Sequence, residues 1–128
     1  MNLNEVGALL YWCEGSKREE DYRVEFVNSD PEMISIFMKY IRTKGVEERR
    51  LRIRMEIHVQ DDEAECRRYW KYVTGLQDDN FIASAPRKPS NSKKHLPHGT
   101  VAIRYNSIAL LREIKNEISS IAQGILAT

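Results

Sequence analysis

Asn2-Leu-Asn-Glu-Val-Gly-Ala-Leu-Leu-Tyr-Trp-Cys-Glu14-Gly15-Ser16 is the stretch on which the fold turns. Asn2 is a good helix N-cap and Glu5, three positions on, completes a capping box, so a helix is predicted from about Leu3. Gly15 is expected to end it in the left-handed conformation. Leu3, Gly7, Leu10 and Glu14 follow one another at helical spacing, one stripe with a missing side chain at its middle and a carboxylate at its end. The last turn of a helix carries partial negative charge, so an acid there calls for a cation. Lys17, Arg18 or a metal ion would answer it.

The run Gly7-Ala-Leu-Leu-Tyr-Trp-Cys-Glu-Gly15 resembles a diverged LAGLIDADG motif, the helix that names a family of homing endonucleases and their non-cleaving relatives. Aligned from its end, Glu14 and Gly15 fall on the motif's acid and last glycine, Ala8 on its alanine and Leu10 on its second leucine. Leu9 stands where the family usually has glycine, and Trp12 and Cys13 are bulkier than usual. The resemblance implies two such helices packed side by side, and one motif per chain then implies a homodimer. Leu3, Gly7, Ala8, Leu10 and Tyr11 are the expected interface, since Gly7 and Ala8 let two backbones approach. It also implies Glu14 as the catalytic residue, with Glu14 and Gly15 holding Mg2+ or another divalent cation that offsets the repulsion of two carboxylates. The bland reading of the same helix is an ordinary core element with Glu14 paired to Lys17.

Downstream, Tyr22, Val24 and Phe26 alternate with Arg23 and Glu25, the pattern of a half-buried strand. Asp30-Pro-Glu32 then opens a helix with Ile34, Phe37, Met38 and Ile41 inward, ending at Gly45. From Arg50 to Val59 the alternation is unbroken: Leu51, Ile53, Met55, Ile57 and Val59 on one face, Arg50, Arg52, Arg54, Glu56 and His58 on the other. Arginines at every second position lie about 7 Å apart, near the separation of successive phosphates, and arginine also reads guanine edges. A plainly solvated charged face fits that strand equally well. Asp62-x-x-Glu65 caps a third helix with Cys66, Tyr69, Trp70 and Val73 inward and Gly75 at its end.

Phe81 to Ala85 reads as a strand and His98 to Tyr105 as another, paired in a hairpin whose tip carries Arg87, Lys88, Lys93 and Lys94 with no acid. Such a tip is expected to grip phosphate, against the plainer reading of a solvated loop. A last helix from about Asn106 or Ser107 repeats Leu111, Ile114, Ile118, Ile121 and Ile125 at steps of three and four.

The order helix, strand, helix, strand, helix, hairpin, helix predicts an α+β fold, a mixed sheet with helices packed on one face. The family's saddle-shaped sheet is similar, its free face lying in the DNA major groove, and Arg23, Arg52, Arg54 and Arg104 are the expected free-face cations. At 128 residues, 41% hydrophobic and 30% charged, residues 1–128 read as one globular domain. A net charge of +1 leaves no global basic field, so a nucleic-acid surface requires charge segregated to one face. Cys13 and Cys66 lack ligand spacing and read as reduced packing residues of a cytoplasmic protein, and Val6 to Cys13 is too short to span a membrane.

These readings point to a homodimeric protein on double-stranded DNA, hydrolysing phosphodiesters with Mg2+. A non-cleaving regulator or RNA-splicing cofactor of the same fold stands next, then a protein-interaction domain with no nucleic-acid role. The residues assigned to nucleic acid are Lys17, Arg18, Arg23, Arg50, Arg52, Arg54, Arg87, Lys88, Lys93, Lys94 and Arg104.

Overall fold

A computed structural model describes residues 1–16, 22–89 and 96–127. Helix α1 spans Leu3–Glu14, and the Asn2 side chain accepts from the Glu5 amide at 2.9 Å as the cap predicts. Strand β1 is Val24–Asn28, helix α2 Pro31–Arg42, strand β2 Arg52–Glu56, helix α3 Glu63–Thr74, strand β3 Thr100–Tyr105 and helix α4 Ile108–Leu126. Asp30, Asp62 and Ser107 cap α2, α3 and α4 through their side chains. Among the described residues no helix is long and apolar enough to cross a membrane.

The fold is α+β, and the three strands form an antiparallel sheet in the order β1-β3-β2. Val24, Phe26, Ile53, Met55, Val101, Ile103 and Tyr105 alternate onto one face and are buried with Ile34, Phe37 and Met38 of α2, Trp70 of α3 and Leu111 and Ile114 of α4. Phe26 and Phe37 stack with ring centroids 4.3 Å apart at the centre of this core.

The predicted hairpin does not form. Residues 81–88 are extended but run parallel to the outer edge of β2, with Ile82 and Ala85 amides donating to Ile53 and Met55 carbonyls at 3.0 Å. Two side chains fix this placement. The Asn80 amide donates to the carbonyls of Glu48 and Leu51 at 2.8 and 2.9 Å, and the Arg87 guanidinium closes on the carbonyls of His58 and Asp61. The parallel pairing expected of a mixed sheet is thus confined to this edge segment, outside the three strands.

Gly15 also departs from expectation. Its φ of −86° is extended, not left-handed. Glycine is required here for space, because a Cβ would meet the Tyr11 ring at 2.4 Å. The Tyr11 hydroxyl donates to the Ser16 carbonyl at 2.7 Å and accepts from the Glu25 amide at 3.2 Å. That pair of bonds, with a Gly15–Phe26 bridge, brings the end of α1 and Glu14 to the edge of β1.

Candidate nucleic-acid interface

Because strand side chains alternate, burying Val24, Phe26, Ile53, Met55, Val101 and Ile103 sends their neighbours to the opposite face of the sheet. The register sets Glu25 opposite Arg104 and Arg104 opposite Arg52 in one row, and Val27 opposite Ala102 and Ala102 opposite Arg54 in the next. Arg23 borders the first row beside Glu25. This face therefore carries Arg23, Arg52, Arg54 and Arg104, with Glu25 and Glu56 among them.

Their environments differ. Arg52 donates to the carbonyls of Arg49 and Leu51 at 2.6 and 2.8 Å, folded back on its own strand entry. Arg104 donates Nε to the Glu25 carboxylate, which Arg23 also approaches at 3.4 Å. All three side chains of that group are at least 70% buried. Arg54 is half-buried and its side chain makes no hydrogen bond or ion pair among the described residues.

Arg50 does not share the face, because β2 begins only at Arg52 and Arg50 sits in a 3-10 turn, Glu48–Arg50. Its guanidinium lies 4.6 Å over the Tyr105 ring and donates to the Asn106 carbonyl at 2.6 Å, so the expected ladder of three arginines is reduced to two. Arg87 is committed to the carbonyls of the β2–α3 turn and is a structural clamp, not a phosphate ligand. Lys88 is exposed at a cleft of about 500 Å³ lined by Glu56, His58, Leu96, Gly99 and Thr100 at the end of the sheet. Lys17, Arg18, Lys93 and Lys94 lie outside the described residues.

The expected dimer surface on α1 needs correction. Gly7, Ala8 and Tyr11 are buried inside the protomer, and the bare Cα of Gly7 receives the Tyr40 ring of α2. Leu10 packs half-buried against the same core, so of the five expected interface residues Leu3 alone is exposed. The outward stripe is instead Val6, Leu9 and Cys13 at steps of three and four, flanked by Trp12, which is 44% exposed. Cys13 is exposed and not a packing residue; Cys66 is buried as expected, and burial pushes its thiol pKa up.

Glu14 is exposed and makes no hydrogen bond or ion pair among the described residues, where no group of three His, Cys, Asp or Glu side chains is placed to hold a metal. Tyr69 and Trp70 serve the interior: Trp70 donates to the His98 carbonyl at 2.8 Å and Tyr69 stacks on the His98 ring at 3.7 Å. Sequence reading missed the Glu25 clamp. Its signal was present, since Arg23 and Glu25 alternate onto the same face of one strand.

No protein-family model, curated protein or solved structure matches this chain.

Proposed function

We propose that this chain is a LAGLIDADG-type protein that binds double-stranded DNA through the arginine-bearing face of its sheet, as a homodimer joined along α1. The observation that carries this reading is the placement of Arg23, Arg52, Arg54 and Arg104 on the sheet face opposite the buried apolar side chains, in a chain whose net charge is only +1. Cationic side chains on a two- or three-stranded ribbon match the width and charge of a major groove. Dimerisation uses the outward Val6, Leu9, Cys13 stripe, because Gly7, Ala8 and Tyr11 are occupied within the protomer. The two-fold symmetry of such a dimer selects a pseudo-palindromic site.

Hydrolysis is assigned to Glu14. Its carboxylate is exposed at the sheet's edge, unpaired among the described residues, and is an oxygen donor of the kind hard divalent cations prefer. One acid per chain would suffice only if two chains brought their Glu14 side chains together, and this pair of carboxylates would then hold Mg2+. A cation so held would supply an activated water and charge neutralisation at phosphorus. The chain's own contribution is to hold the duplex on its arginines while Tyr11 ties the end of α1 to β1.

The test is nicking of supercoiled plasmid with Mg2+ by wild type and Glu14→Gln. Wild type is expected to nick while Glu14→Gln binds without nicking. Binding by both with nicks from neither removes hydrolysis and leaves a non-cleaving nucleic-acid binder of the same fold, acting in regulation or RNA splicing.

A further inference from the structure

The free-face arginines are unequal in what they can still donate. Arg104 has its Nε taken by Glu25, and its two terminal nitrogens make no bond among the described residues. That leaves the end-on pair of N–H groups, the geometry that spans two acceptors on one base edge. The carboxylate that holds it is itself held: Glu25 is flanked by Arg23, and its backbone amide donates to the Tyr11 hydroxyl. Arg23 in turn donates to the Tyr22 hydroxyl at 3.3 Å.

We infer that Glu25 is a positioning residue that aims Arg104 at a guanine edge in the major groove, making this pair a sequence-reading element of the face. Three arguments converge. A guanidinium clamped on its Nε side has lost its rotamer freedom before binding, so the ordering cost of a bidentate contact is already met. An acid beside it disfavours a phosphate oxygen, which is anionic, more than a guanine O6/N7 edge, which is neutral. Finally, Arg104 stands on the central strand β3, paired with β1 on one side and β2 on the other, and Glu25 holds it from directly across the β1–β3 register. Arg54, by contrast, has its full side-chain donor set, with Glu56 two residues along the same strand but not bonded to it, and is suited to a phosphate.

This inference rests on the DNA-binding reading, and the experiment separates the two. Random duplex libraries are selected at moderate salt on wild type, Glu25→Thr and Arg104→Met, and the affinity of each for an unselected duplex is measured in parallel. Wild type is expected to enrich a G·C pair at one position of each half-site by about tenfold or more. Both variants lose that preference, yet they move unselected binding in opposite directions: Glu25→Thr binds it more tightly, having shed an acid, and Arg104→Met more weakly. Charge alone predicts the split in unselected binding, whereas loss of the G·C preference in a folded Glu25 variant is what a merely structural or charge-balancing role for Glu25 does not predict. Glu25→Gln, which keeps the side chain's size and an acceptor, covers any failure of the threonine variant to fold; it raises unselected binding and weakens the preference in part. An unchanged preference in a folded Glu25 variant overturns the assignment. A wild-type protein that retains no duplex removes the DNA-binding reading itself, and this inference with it.

Discussion

Replacing Gly7 by alanine separates two uses of the same residue. In the family-like picture the glycine serves contact between chains; in this structure it serves contact between α1 and α2. A Cβ built at Gly7 would stand 2.0 Å from Tyr40 Cγ and 2.1 Å from Cδ1, where a van der Waals contact needs about 3.5 Å or more. The ring has no room to withdraw. Tyr40 is fully buried, its hydroxyl donates to Glu117 at 3.0 Å, and the Lys44 ammonium lies 5.0 Å over the ring centroid. Overpacking of this kind costs about 1–3 kcal/mol, and the near-complete overlap argues for the upper end. The gain in helix propensity from glycine to alanine returns about 1 kcal/mol. The net is a destabilisation of about 2 kcal/mol, which for a chain of this length lowers Tm by about 7 °C. Thermal unfolding followed by circular dichroism over a hundredfold range of protein concentration reads it directly. The expected drop is the same at every concentration, relative to wild type at that concentration. A Gly7→Ala protein as stable as wild type at low concentration, and weakened only in self-association, would refute the intramolecular role.

Other outcomes follow from particular contacts. Asn80→Ala strips partners from the carbonyls of Glu48 and Leu51 and the amide of Gln77, and is expected to cost about 2–3 kcal/mol, measured by urea denaturation. Tyr40 is buried and bonded to the anionic Glu117, which holds its pKa above the ordinary tyrosine value of about 10. A folded-state pKa raised in this way gives stability that is complete below pH 10 and lost as pH rises past it, so Tyr40→Phe should flatten the alkaline fall in stability seen for wild type. Cys13 is exposed on the outward stripe of α1 while Cys66 is buried, so mild oxidation should yield a disulfide-linked dimer through Cys13 that Cys13→Ser abolishes. A protein that stays uncrosslinked at high concentration would place those two helices apart.

The starts of all four helices were legible in the sequence to within a residue or so, because each is marked by a side chain that can cap: Asn2, Asp30, Asp62 and Ser107; the end of α2 was not, since it stops at Arg42 and not at Gly45. The free face of the sheet was legible for the same reason, since Arg52, Arg54, Arg104 and Glu25 alternate strictly with buried apolar residues. What pattern does not encode is partnership at a distance. Phe81 to Lys88 has the composition of a strand, but its choice of β2 over β3 is made by Asn80 and Arg87, whose targets are carbonyls that any residue carries. Gly7 and Gly15 likewise announce a close approach without naming what approaches; Tyr40 and Tyr11 fill those spaces from elsewhere in the same chain. The periodicity of Arg50 to Val59 ran past the strand because an alternating sequence does not show where pairing stops, and Arg50 leaves the row to cover Tyr105.

The most direct test of the central claim is a salt titration of binding to a random-sequence duplex, with wild type and Arg54→Ala side by side. A phosphate-gripping face predicts measurable affinity at low salt, a linear fall of log affinity against log salt, and a slope shallower by about one in Arg54→Ala. Affinity that is undetectable at low salt, or indifferent to salt, would mean that duplex DNA does not dock on this sheet.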